Sequence, residues 1–331
     1  MKIIYQNSIS GTPTSSAGNL SADYAVAKVL NDVPKQPYIA NTHTSVLITV
    51  NLKTQATLNE MSFFMTYLAE SASVVFKNGA SAIGSATVYT NSYDFSNPYF
   101  YLDKTIWNDS IFLDIPENTT KIEITLSNST DRKSSITNWD SNDVDSRGKF
   151  LETAATILYE NYAQIRLGTS IQNSADSAFY QINRITGIGS GNTDIQLTPE
   201  INTDFTISNM YLPIYVNTIR AGKSYEIFNP SVGVNVQRDS FGIVKDRDSG
   251  INYRLGEIRK VYSGTVQVLE AERATVTNII EGLRNRPVAM RVLDYQGETA
   301  VFGSFFEIPG FTYSNQGSRI YDMGISFTEI V

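Results

Sequence analysis

The chain of 331 residues contains no cysteine and a single histidine, His43. Without cysteine, disulfide frameworks, zinc–thiolate sites, iron–sulfur clusters and thiol nucleophiles are all excluded. One histidine excludes multi-histidine metal centres and leaves one conceivable Ser–His–Asp arrangement. Charge is scarce at 18% of residues, and acids outnumber bases 33 to 26 for a net charge of −7. With no run of Lys and Arg to neutralise phosphates, no nucleic-acid partner is expected. Long hydrophobic runs are also missing. Segments such as Val46-Leu47-Ile48-Thr49-Val50 fall far short of the roughly 20 residues of a membrane helix, so no membrane insertion is expected. The opening Met1-Lys2-Ile3-Ile4-Tyr5-Gln6-Asn7 turns polar too early for the apolar core of a signal peptide. The length suits about two domains of roughly 150 residues.

Period-two alternation dominates what is present. Val46, Ile48, Val50 and Leu52 recur at every second place, as do Ile122, Ile124 and Leu126, then Val232, Val234 and Val236, and finally Tyr321, Met323, Ile325 and Phe327. Successive strand side chains point to opposite faces, so each run predicts a half-buried strand. Asn, Ser, Thr, Gly and Asp cluster between the runs as turn formers. Many short strands with polar connections predict an all-β protein. One segment breaks the pattern. Between Glu270 and Arg286, Val276, Ile279, Ile280 and Leu283 fall at i, i+3, i+4 and i+7, with acids early, Arg late and Pro287 as a stop, which predicts a helix docked on a sheet. Weaker helical stretches are expected near Phe150–Tyr159 and Ala22–Leu30. The polar stretch Thr169–Thr206 is read as containing a domain boundary near residue 175, dividing the chain into 1–175 and 176–331.

Candidate motifs fail on named features. Gly187-Ile188-Gly189-Ser190-Gly191 lacks both the spacing and the following helix of a dinucleotide loop, and reads as a loop. In the segment 138–148, Asp143, Asp145 and Gly148 match places one, three and six of an EF-hand, but Arg147 occupies a ligand place and Ala154 stands where a bidentate Glu is required. Asp140, Asp143 and Asp145 remain only as candidates for a looser calcium loop. Lys245–Gly250 reads as a hairpin turn. His43 lies just before a strand, without a G-x-S-x-G elbow, and reads as a polar strand-start residue rather than a catalytic base. Asn108, Asn118 and Asn128 head sequences of the glycosylation type, which the Asn/Ser/Thr-rich composition explains more simply. Tyr93, Phe95, Tyr99, Tyr101, Trp107 and Trp139 are placed on or beside loops. Of these, Tyr93, Tyr99, Trp107 and Trp139 are the candidates for stacking on sugar rings, against the plainer reading of strand-edge packing. No cofactor and no catalytic set is expected.

The first half resembles the galactose-binding-like (discoidin-type) jelly rolls found in virion proteins of tailed bacteriophages. The resemblance lies in a turn-rich start, a short helix at Leu20–Asp32, the strands Val46–Leu52, Asn59–Phe64 and Lys121–Leu126, and a closing strand similar to Gln164–Gly168. No residue set matches the sugar site of such domains. The C-terminal third is similar to the end of phage tail-tip and minor tail proteins. It has a region bearing Arg254 and Arg259, a helix opening Glu270-Ala271-Glu272, a strand after Pro287, aromatic strands around Phe302–Tyr313 and a close on Phe327-Thr328-Glu329. The resemblance implies an N-terminal jelly-roll sandwich and a C-terminal β domain carrying one helix, docked on a tail. It implies a structural virion protein at the tail tip or in an adaptor, with other tail proteins as partners. The alternative is a carbohydrate- or receptor-binding module for host-surface glycans. Soluble oligomers mostly close with point-group symmetry, so the expected self-association is a ring-like homo-oligomer.

Overall fold

The computed structural model describes residues 1–31, 37–57, 60–90, 109–131, 136–141, 147–152, 155–156, 167–186, 194–227, 235–240, 244–247, 250–253, 258–284, 286–294, 297–305, 310–315 and 319–330. The protein is predominantly β, with several antiparallel sheets and, among the described residues, a single α-helix packed in its C-terminal region. The alternating run at Val46–Val50 forms the strand Ser45–Asn51, whose Val46, Ile48 and Val50 are fully buried while their neighbours are not. It pairs with Lys121–Ser127, which pairs on its other side with Ser71–Asn78. These three strands centre a six-stranded sheet. Its buried face packs on Met61–Leu68 and Tyr215–Glu226, giving a β-sandwich whose core includes Phe63, Met65, Tyr67, Val216 and Ile219. Each such side chain contributes roughly 1.5–3 kcal/mol on burial. The short helix expected over Ala22–Leu30 appears as two 3-10 turns, Ala22–Tyr24 and Val26–Leu30, flanking this core.

Met61–Leu68 and Tyr215–Glu226 belong to a second, eleven-stranded sheet. The strand Lys2–Asn7 lies inside that sheet, between Tyr215–Glu226 and Val288–Asp294. Beyond it follow Gly297–Phe305, Ile320–Glu329, Ile258–Leu269 and, outermost, Asn235–Ser240. The N-terminus is therefore stitched between strands from the middle and the end of the chain. The helix forms over Glu270–Leu283, with Glu270 and Glu272 in its first turn, where the partial positive charge favours acids. Val276, Ile280 and Leu283 bury against Val266, Val268, Met323 and Phe327 on one face of the sheet. The opposite face buries Ile4, Phe64, Ala289 and Phe302. The same face holds Lys2, only 4% exposed, whose Nζ lies 2.6 Å from Asp114 Oδ1. Burial alone would raise the Asp114 pKa. Hydrogen bonding and charge from Lys2, the Arg291 guanidinium and the Ser62 hydroxyl outweigh it and hold the carboxyl below its ordinary range. Around the hairpin turn expected at Lys245–Gly250, Val244–Arg247 pairs antiparallel with Gly250–Tyr253, and residues 248–249 lie outside the described residues.

The third unit draws on the polar stretch Thr169–Thr206 and on strands either side of it. Between Lys121–Ser127 and Tyr215–Glu226, a seven-stranded sheet includes Ile136–Ser141, Arg147–Glu152, Ser170–Asn173, Phe179–Thr186, Asp194–Thr198 and Phe205–Tyr211. Ile136–Ser141 pairs with both Phe205–Tyr211 and Arg147–Glu152, so six strands close into a small barrel. Inside lie Trp139, Phe150, Ile171, Ile182, Ile195, Leu197 and Ile207. The helix expected at Phe150–Tyr159 is corrected here. Arg147–Glu152 and Ala155–Thr156 are paired strands, because the barrel interior selects Phe150 at a strand position. Residue 175, where a boundary was expected, falls in the turn between the paired strands Ser170–Asn173 and Phe179–Thr186.

Both connections between sandwich and barrel pass one buried amide. Asn128 Oδ1 accepts from the Glu70 N–H at 2.7 Å, and Nδ2 donates to the Leu212 carbonyl at 2.7 Å and the Pro213 carbonyl at 3.2 Å. The Glu70 carboxylate accepts the Ser129 and Thr130 N–H groups at 2.7 and 2.9 Å. Asn128 is 4% exposed with its carboxamide fully engaged, so this sequence of glycosylation type is structural.

Candidate functional site

Of the residues proposed from sequence, Tyr93, Phe95, Tyr99, Tyr101, Trp107, Asp143, Asp145 and the Gly187–Gly191 loop lie outside the described residues. Trp139 and Asp140 are placed. Trp139, expected beside a loop, is on the strand Ile136–Ser141 and only 1% exposed. Its ring meets Phe150 edge-on at 5.2 Å and Phe205 at 6.4 Å. Its six-membered ring also lies over Gly148, where an added Cβ would come within 2.5 Å of it. The indole is thus occupied as barrel core, and the small residue at 148 is what lets it lie flat against the neighbouring strand. Asp140 pairs with Lys149 at 3.1 Å across the same two strands. Asp204, which shares a hollow of about 280 Å³ with Trp139 and Asp140, accepts the Ser141 N–H at 2.8 Å. Among the described residues, no group of three or more His, Asp or Glu side chains converges as a metal would require.

A larger cleft, about 440 Å³, opens where the sandwich meets the barrel. One wall is the turn Asn41–Thr44, which leads into the strand Ser45–Asn51, together with Asn19. The other comes from the barrel, where the strand Phe179–Thr186 presents its first residue and Asp194–Thr198 ends in a cis Thr198–Pro199 bond. The walls are joined by direct contacts. Gln181 Nε2 reaches the Ala40 carbonyl at 3.3 Å and the Gly168 carbonyl at 3.2 Å, and the Tyr215 hydroxyl donates to the Leu167 carbonyl.

His43 sits at this junction. Its imidazole stacks on Tyr211 at 4.2 Å and 10°, and meets Phe179 at 4.7 Å and 42°. The residue is 7% exposed, yet it lines the cleft, and neither ring nitrogen bonds to a described residue. Burial pushes its pKa below the ordinary value, so the imidazole is neutral at pH 7, with one nitrogen donating and one accepting. Phe179 is 41% exposed, an unusual position for a large apolar ring. The sequence placed His43 correctly before a strand but had no signal for the cleft, because Phe179 and Tyr211 are brought to it only by closure of the barrel.

The arrangement offers neutral amide, hydroxyl and imidazole groups around an aromatic face. Among the described residues of the cleft, no hydroxyl is hydrogen-bonded to a histidine or carboxylate base. No protein-family model matches the chain, and no curated protein matches it.

Proposed function

We propose that the chain is a structural protein of a tailed-bacteriophage particle, a tail-tip or adaptor component that assembles with copies of itself and with other tail proteins. The observation carrying this reading is the eleven-stranded sheet in which the first strand, Lys2–Asn7, lies between strands from the middle and the end of the chain. Such stitching joins sandwich and C-terminal sheet through continuous backbone hydrogen bonds, as a part that transmits load requires. The sheet ends on Asn235–Ser240, and among the described residues no strand pairs with its outer side. A closed ring would bring this edge of each copy beside its neighbour. The likeness of the C-terminal third to phage minor tail proteins supports the same reading.

Two measurements test it. Native mass spectrometry of the purified protein is expected to give one closed oligomer, and antibody against the chain is expected to label tail tips in micrographs of intact particles. A monomer at every concentration, together with absence of label from particles, overturns the proposal.

A further inference from the structure

We propose that the cleft between sandwich and barrel is a binding site for an uncharged, hydroxyl-rich ring, a neutral saccharide unit stacked on Phe179 and hydrogen-bonded by His43 and Asn41. Two independent features point to a ligand. The first is the Phe179 ring, 41% exposed at the mouth of a concavity rather than alone on a convex surface. The second is His43, more than nine-tenths buried and facing the cleft with both ring nitrogens unbonded among the described residues. An imidazole in the cleft wall with no bond to a described residue has its capacity to donate and to accept open to a ligand.

The lining selects the ligand class. None of the described lining residues carries a charged group, so an anion or a cation would be desolvated without a counter-charge. Asn41 and Thr42 on the sandwich side and Thr198 on the barrel side supply amides and hydroxyls. The Asn41 carboxamide bonds to no described residue; Thr42 and Thr44 share a hydroxyl contact at 3.1 Å. Phe179 and Pro199 supply the apolar surface. A sugar ring has the matching pair of properties, an apolar C–H face and a rim of hydroxyls that both donate and accept. The volume, about 440 Å³, lies in the range of small-ligand sites. Tyr211 contributes by holding the imidazole plane, stacked at 4.2 Å and 10°. The site draws on both units and is independent of whether the protein assembles into a particle.

The single histidine provides the assay. The full chain has one imidazole, so its ring protons give one assigned pair of NMR signals without mutagenesis. Glucose, galactose, mannose, rhamnose, N-acetylglucosamine, lactose and maltose are titrated separately to about 50 mM, covering the weak affinities expected of one ring in an open site. At least one is expected to shift the His43 signals saturably. Phe179→Ala, at an exposed position, is expected to keep the fold and weaken that binding roughly tenfold. Asn41→Ala is expected to weaken it several-fold. No saturable shift with any of the seven sugars overturns the proposal. So does a response confined to phosphate or citrate, or equal affinity in Phe179→Ala.

Discussion

At Asn128 a single carboxamide decides how two units stay joined. Its oxygen satisfies the Glu70 N–H, and its nitrogen satisfies carbonyls at Leu212 and Pro213, where the chain returns from the barrel. Glu70 and Leu212 are 7% and 1% exposed, so water has little access to replace the lost partner. Asn128→Leu keeps the approximate shape while taking this partner from the buried Glu70 N–H and from the Leu212 and Pro213 carbonyls. At about 1–3 kcal/mol for each unsatisfied group, the variant is expected to lose at least about 3 kcal/mol. A urea titration checks this: the midpoint should fall with the slope unchanged, and a loss under about 1 kcal/mol would show that the amide is not the tie. Lys2 follows the same logic with charge. Its ammonium is accepted in a buried position because Asp114 lies 2.6 Å away, and removing Asp114 strands it, whereas without Lys2 the half-exposed Asp114 keeps Arg291 and Ser62.

Among the elements, legibility in sequence followed how cleanly one face was buried. Ser45–Asn51, Lys121–Ser127 and Ile320–Glu329 alternate because a sheet face covers every second residue, and period two then shows without knowledge of the partner. The helix was legible because Val276, Ile280 and Leu283 meet a single flat sheet face. The barrel strands were not. Ser170–Asn173 carries one apolar core residue, Ile171, among polar ones, and the turn after it, Ser174-Ala175-Asp176-Ser177-Ala178, is small and polar. That composition reads as a connection until closure supplies the second side of the core. The cleft was hidden for a related reason, since its aromatic groups come from strands whose pairing no local pattern reveals. The helix also carries a testable local flaw. Gly282 is exposed in its last turn, and a Cβ built there meets nothing within 4 Å. Gly282→Ala therefore removes backbone freedom from the unfolded chain without a clash, and should raise stability by about 0.5–1 kcal/mol. Ile280→Ala in the same helix should lower it by about 2–5 kcal/mol, since it opens a cavity against the sheet. Thermal unfolding of the two variants beside the parent protein reads both signs, and a loss of stability in Gly282→Ala would refute the argument.

For the molecule as a whole, the question is which cuts the fold tolerates. A division at residue 175 separates strands that pair in one barrel and parts Lys2–Asn7 from both its neighbours. The pieces 1–175 and 176–331 are therefore each expected to fail to fold, leaving the cores of both incomplete. The barrel is a different matter. Its core residues form a cluster of their own, distinct from that of the sandwich. Its two ends emerge side by side, since the Asn128 side chain spans them through a 2.7 Å hydrogen bond to Leu212. Replacing 131–211 with a Gly/Ser linker of about four residues closes a gap that short chain can reach. The loop-closure term then differs little from that of the natural connection, because it grows only slowly with length. The excision uncovers His43, which loses Tyr211 and Phe179, and the Ala40 carbonyl, which loses Gln181. Some stability is thus lost, but every strand of the sandwich and the long sheet keeps its pairing. The shortened protein is expected to be soluble, to retain its β circular dichroism and to unfold in one cooperative transition. Aggregation of the excised protein would show that the barrel is required by the rest of the fold rather than carried on it, and a folded 1–175 fragment would refute the expectation that the cut at 175 fails.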